Sequence, residues 1–180
     1  YMQEYFNKAQ IVDKEGQTRP LVAKEEKIVV TGKTPADFVS GGITPMQSAS
    51  LLLILVAGIS IYGIRRGKTL WGIDLILFLI AGIAGCILAF LALFSQHPAV
   101  SPNYILFVFH PFHLFCLPFM LSRVRKREIS RYMLVDFAVL TLFIGLWTII
   151  PQRIPPAVLP LALCLLIRSA SNLILTYKRK

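Results

Sequence analysis

The sequence predicts an all-α, polytopic membrane protein of about five transmembrane helices, with its N-terminus outside and its C-terminus inside. Three observations carry this prediction. The 180-residue chain is 56% hydrophobic, more apolar surface than one soluble core of this size can hide. The apolar residues gather into five runs, each near the roughly 20 residues that cross a hydrocarbon core about 30 Å thick. Lys and Arg cluster at alternate ends of those runs, the arrangement that orients membrane helices.

The first forty or so residues are of a different kind. Tyr1 opens the chain, and no basic segment, short apolar run and small-residue cleavage site follow it, so the sequence reads as the end of a longer protein. Short β-like runs at Ala9 to Val12 and Lys27 to Val30 flank a turn signal at Lys14-Glu15-Gly16. Residues 1–43 are expected to be the tail of an extracytoplasmic domain with a flexible link at Ser40-Gly41-Gly42, and 44–180 the transmembrane domain. Thr44-Pro45-Met46-Gln47 reads as a helix start. Thr44 can accept from first-turn amides, Pro45 sacrifices no helical hydrogen bond at the first position, and Gln47 can reach back as in a capping box.

The spans are expected at about 46–64, 70–94, 104–121, 132–150 and 157–177. The second is long enough to tilt, and Pro111 and Pro118 should bend or break the third. Ala81, Gly85 and Ala89 form a small-residue stripe on the second that lets another helix approach closely. Cys86, Cys116 and Cys164 each lie inside a predicted helix without CxxC spacing and read as small apolar packing residues.

The formal charge of +10 raises the question of nucleic acid, which its distribution answers. Up to Gly42, six basic residues meet six acids, so the excess belongs to the apolar part. There it falls at Arg65, Arg66 and Lys68; at Arg123, Arg125, Lys126, Arg127 and Arg131; and at Lys178, Arg179 and Lys180. The opposite junctions carry only Arg153. The positive-inside rule therefore makes those three clusters cytoplasmic, and a nucleic-acid groove is excluded as a reading.

Polar residues within the apolar runs carry the functional information, because each must be satisfied without bulk water. Arg168 lies near the middle of the last run, with Ser169, Ser171 and Asn172 beside it. A guanidinium there costs about 2.5–3.5 kcal/mol on insertion scales, so it must pair or face a hydrated cavity. Asp74 and Asp136 lie at depths it could reach. Two readings stand: a structural ion pair of Arg168 with one of these aspartates, or a cation for a phospholipid phosphate, with Ser169 alongside. The outer loop Ser95-Gln96-His97-Pro98-Ala99-Val100-Ser101-Pro102-Asn103 is the second group. Ser101-Pro102 is a helix cap and first turn. His97 is a weak candidate general base or a headgroup contact, since histidine titrates near neutral pH, against a purely structural hydrogen-bonding role. His110 and His113 stand three apart around Pro111-Phe112 and read as interfacial or packing residues; a metal would need two further ligands, so none is expected. No Gly-rich phosphate loop, zinc motif or nucleophile elbow occurs, and no cofactor is expected.

Several of these stretches share a likeness. Ala84-Gly85-Cys86, then Phe94-Ser95-Gln96-His97-Pro98-Ala99-Val100, Ser101-Pro102-Asn103-Tyr104, His110-Pro111, His113-Leu114, and later Leu159-Pro160-Leu161 with Arg168-Ser169, resemble the Lnb-like transmembrane domain. The resemblance runs from about Thr44 to the C-terminus, and the segment before it is similar to the end of the Lnb periplasmic domain. It implies a bacterial inner-membrane location, with phospholipids and lipoproteins as partners. It also implies lipoprotein N-acylation, in which an acyl chain passes from a phospholipid to the α-amino group of the lipid-modified cysteine. In that family the thiol chemistry is attributed to a papain-like periplasmic domain. No cysteine lies in the segment before Thr44, so no nucleophile carries over and this chain alone is expected to be inert. The helices then read as a lipid-binding platform, with Ser95, His97, Asn103, Arg168 and Ser169 as lipid or substrate contacts. The alternative is a non-catalytic anchor or assembly module; a transporter is disfavoured because no inverted repeat is visible.

Overall fold

The computed structural model describes residues 8–12, 16–22, 42–94 and 103–178. The chain divides into two units, 1–42 and 43–180. In the first, strands β1 (Gln10–Val12) and β2 (Thr18–Pro20) pair antiparallel in the register Ile11 to Arg19. Gly16 takes φ +77° between them, a left-handed conformation that favours glycine. The second strand is thus Thr18–Pro20; Lys27 to Val30 lies outside the described residues.

The described residues of the second unit form six α-helices: α1 (Pro45–Arg66), α2 (Trp71–Phe94), α3 (Phe112–Phe115), α4 (Leu117–Lys126), α5 (Arg131–Gly145) and α6 (Val158–Tyr177), with a 3₁₀ turn at Tyr104–Phe107. The start of α1 is built by reciprocal bonds. Thr44 Oγ1 accepts from the amide of Gln47 at 3.2 Å, and the Gln47 side chain accepts from the amide of Thr44 at 2.9 Å. Gly67, at φ +61°, ends α1 and lets its amide bond back into the last turn.

Among the described residues, three helices are long and apolar enough to cross a membrane: α1, α2 and α6. A fourth crossing is broken. The segment from Tyr104 to Lys126 passes the same test only as a pair bent by 77° between Phe115 and Leu117. Pro111 precedes the first turn of α3, and Pro118 lies in the first turn of α4, the positions where proline costs no helical hydrogen bond. The run expected at 132–150 is helical only to Gly145 and continues as turns to Ile150, for example Ile150 N to Leu146 O at 3.1 Å. The chain is therefore mostly helical, and among its described residues three helices are candidate spans and a fourth is broken where the prolines are expected to break it, an arrangement consistent with a five-helix membrane domain.

Helix α6 packs on α1 and α5, and α2 packs on α3 and α4. Their shared core holds Phe78, Val108, Met120, Met133, Leu140, Ala162 and Leu165. The outward faces are as apolar as the inside. On α2, Ile76, Ile80, Ile83, Ile87, Phe90 and Phe94 are exposed at alternating four- and three-residue steps, one continuous stripe. Such a face is stable only against lipid.

Two of the basic junctions meet at one end of this unit. The guanidinium of Arg127 donates to the carbonyl of Gly67, and that of Arg125 stacks over the Trp71 ring at 4.7 Å. Thr69, Glu128 and Thr176 line one small cleft there, bringing the C-terminal end of α6 to the same place. At the other end, the Tyr104 amide donates to Gln152 Oε1 at 2.8 Å and ties the segment after α2 to the segment before α6.

Candidate functional site

Helix α6 is the polar spine of the bundle. Arg168, Ser169, Ser171 and Asn172 are all buried, and Arg168 is only 1% exposed. Its guanidinium meets Asp74 of α2 in a two-pronged pair, Nε to Oδ1 at 2.7 Å and Nη2 to Oδ2 at 3.1 Å. The remaining nitrogen, Nη1, donates to Ser60 Oγ of α1 at 3.0 Å. Asn172, one helical turn on from Arg168, donates to Asp74 Oδ2 at 3.0 Å. A fork-to-fork geometry with every nitrogen of the guanidinium engaged is what makes such a pair tolerable away from water. It joins α1, α2 and α6 at one point.

The next face of α6 serves a second group. Ser169 Oγ donates to Asp136 Oδ2 of α5 at 2.6 Å. Asp136 Oδ1 points toward two imidazoles, with His113 Nδ1 at 3.9 Å and His110 Nε2 at 4.0 Å. The two rings stack with centroids 3.9 Å apart and planes 16° off parallel. His113 is fully buried and fixed on both sides: its Nε2 lies 2.8 Å from Val108 O, and its Nδ1 lies 2.6 Å from the Tyr132 hydroxyl. Phe78 packs edge-on against both His113 and Tyr132.

What lets the histidine segment come so close is the absence of side chains on α2. A methyl group on Gly82 would lie 2.5 Å from the amide nitrogen of Leu114, and one on Gly85 the same distance from the carbonyl carbon of His110. The small-residue surface of α2 thus accommodates the broken segment His110 to Leu114 rather than a regular helix.

A third feature is an apolar groove of about 280 Å³ near the Tyr104–Gln152 end, lined by Tyr104, Phe107, Val139, Leu142, Leu146 and Ile150. It opens outward, where Phe107, Leu142 and Leu146 are exposed.

The family model of the Lnb transmembrane domain matches residues 37–180. The chain belongs to this family. No curated protein and no solved structure matches it. Within this Lnb transmembrane domain, the residues singled out in the sequence fall in different places. Ser95 and His97 lie outside the described residues. Asn103 caps the 3₁₀ turn, its Oδ1 accepting from the Ile105 amide at 3.1 Å. Arg168 and Ser169 are neighbours that serve different carboxylates: Arg168 engages Asp74, while Asp136 receives Ser169 and faces His110 and His113. Both side chains are buried and turned into the Lnb domain, away from its lipid-facing surface. The cysteines are free thiols, with Cys164 buried.

Sequence reasoning passed over Ser60, Tyr132 and Gln152, and treated the two histidines apart from Asp136. One signal was available for part of this. Tyr132 and Asp136 are four apart on one helix, so they share a face, and His110 and His113 are three apart. Nothing in the sequence, however, shows that those two faces meet.

Proposed function

We propose that this domain is the membrane platform of an Lnb-like protein of the bacterial inner membrane that transfers an acyl chain from a phospholipid to a lipoprotein N-terminus. In this reading the chain crosses the membrane five times, with residues 1–43 periplasmic and the basic end cytoplasmic. The outward-opening groove carries the proposal. It is apolar, wide enough for part of an acyl chain, and lies at the end that the charge distribution assigns to the periplasm, with Tyr104, the neighbour of Asn103 in the chain, among its lining residues. Phospholipid donor and lipoprotein acceptor both stay anchored by their acyl chains, so a groove below the reacting ends positions them by burial alone. The bond-making residues belong to a periplasmic catalytic domain, and the groove supplies orientation.

The test is substitution in the full-length protein, with lipoprotein N-termini read by mass spectrometry at matched protein levels. Val139→Trp and Leu142→Trp, which fill the groove, and His97→Ala and Asn103→Ala in the outer loop should cut N-acylation by at least about tenfold. Undiminished acylation in all four would overturn the platform in favour of a passive anchor. The anchor reading has one observation behind it: every nitrogen of Arg168 is engaged inside the bundle, so this cation acts as a helix clamp rather than a phosphate ligand.

A further inference from the structure

The basic end, the apolar groove and the Arg168–Asp74 pair are absorbed by the membrane reading. The cluster where the broken segment meets α5 is not. We propose that His110, His113 and Asp136 form a binding site for a divalent transition-metal ion of the zinc type. One ligand atom from each of the three residues lies within 4.8 Å of the others. The two imidazoles come from the proline-broken segment and the carboxylate from the facing helix, so the site exists only in the folded bundle.

The hydrogen bonds around the cluster prepare it for a cation. Val108 O can only accept, so the proton of neutral His113 sits on Nε2, and the Nδ1 lone pair accepts from the Tyr132 hydroxyl at 2.6 Å, a bond that an entering cation displaces. A metal-bound histidine ordinarily has its far nitrogen held this way by a backbone carbonyl. Asp136 is oriented by Ser169 through one oxygen, while its other oxygen, Oδ1, is buried without a hydrogen-bond partner among the described residues. Its distances of 3.9 and 4.0 Å to the imidazole nitrogens are too long for a shared proton. They are close to what an ion needs. With bonds of about 2.0–2.2 Å to nitrogen and carboxylate oxygen, neighbouring donors lie roughly 3.3–3.5 Å apart in a tetrahedral site, so the imidazole–carboxylate pairs close by about half an ångström and the two imidazole nitrogens, within 4.8 Å of each other, by up to about an ångström more than that. His110 is the member free to make that movement, since its side chain is 20% exposed while those of His113 and Asp136 are enclosed. The Tyr132 hydroxyl, 2.6 Å from His113 Nδ1, places one further oxygen at the rim, and the fourth position falls to it or to water. Two imidazoles and a single carboxylate suit zinc or ferrous iron and are poorly matched to calcium or magnesium, which take oxygen ligands.

The ion would tie the broken segment to α5, adding to the Tyr132–His113 bond between them. This proposal is independent of the acyl-transfer reading, since its test reads metal and not acylation. The full-length protein, purified in detergent without a metal-affinity tag and stripped with chelator, is titrated with Co²⁺ and then Zn²⁺. One Co²⁺ per chain is expected, with the visible absorption of a tetrahedral nitrogen and oxygen site, displaced by Zn²⁺. His110→Ala, at the edge of the cluster, should keep a monodisperse gel-filtration peak and weaken binding at least about tenfold. Cys116→Ala should leave the spectrum unchanged, which excludes a thiolate ligand. Absence of Co²⁺ uptake by monodisperse protein, or equal affinity in the His110→Ala variant, would overturn the site. Asp136→Asn is a second probe, and if it fails to fold the His110 variant decides alone.

Discussion

A single charge in an apolar run is the most legible feature a membrane sequence can offer, and Arg168 shows how far that legibility extends. Its cost in hydrocarbon demands a partner, and the carboxylates at comparable depth are few enough to name from the sequence. Which one pairs is another matter. Asp74 and Asp136 both stand a short distance in from the basic end of their helices, and the choice depends on how α2 and α5 are rotated against α6. That rotation is set by packing that hydropathy does not encode. The structure gives Asp74 the guanidinium and leaves Asp136 to Ser169 and the histidines. The consequence is asymmetric. Asp74→Ala strands a buried guanidinium and should lower stability by about 3–5 kcal/mol, whereas the double change Asp74→Leu with Arg168→Met removes both charges and should recover most of that loss. Thermal unfolding in detergent measures this; an Asp74→Ala protein as stable as the parent would show the pair to be idle. Ser60→Ala, which removes one donor contact from a pair that keeps its main geometry, should cost only about 1 kcal/mol.

At the scale of elements, the signals that succeeded were those with a local cause. The Thr44-Pro45-Met46-Gln47 start forms the capping box that its residue types allow. The prolines of the third run begin short helices, as a residue without an amide hydrogen must. What the residue types left open was where each helix ends. The apolar run at 132–150 is helical up to Gly145 and goes on as turns to Ile150. Glycine weakens the helix there, and Pro151 restrains Ile150 before it, so turns replace the last helical residues. The small-residue pattern on α2 lies between these cases. Sequence shows that something approaches closely, but only the fold shows that it is the backbone from His110 to Leu114. Gly82 and Gly85 therefore become tests of the element. A Gly82→Ala or Gly85→Ala change puts a methyl 2.5 Å from backbone atoms that cannot rotate away, and should destabilise by about 1–3 kcal/mol through displacement of the segment. Gly58→Ala on α1, where a methyl meets nothing within 4 Å, is the matched control and should be neutral or slightly stabilising. Equal melting temperatures for Gly85→Ala and Gly58→Ala would refute the close approach.

For the whole molecule, what matters is that the asymmetry of charge along the sequence becomes an asymmetry of the folded body. The clusters at Arg65 to Lys68 and at Arg123 to Arg131 touch one another through Arg127–Gly67 and Arg125–Trp71, and Thr176 joins them at the end of α6. Like charges brought together repel, a cost the fold would have no reason to bear unless that end faces an aqueous phase rich in counterions or anionic headgroups. On the proposed orientation anionic headgroups on the cytoplasmic side would supply such a partner, and inserting the opposite way would require passing the whole cluster through hydrocarbon. The orientation should therefore depend on charge number more than on any one contact. A reporter active only in the cytoplasm, fused after Lys180, should be active in the parent protein, and one fused before Ile43 should not. Replacing Arg123, Arg125, Lys126 and Arg127 together with Gln removes the densest cluster while keeping the helices intact, and should produce a mixed population in which both reporters are partly active. Single replacements should leave the orientation unchanged, because the remaining basic residues still outnumber Arg153 at the other end. A parent protein whose C-terminal reporter answers from outside the cytoplasm would mean that the basic end is held by something other than the membrane's charge asymmetry.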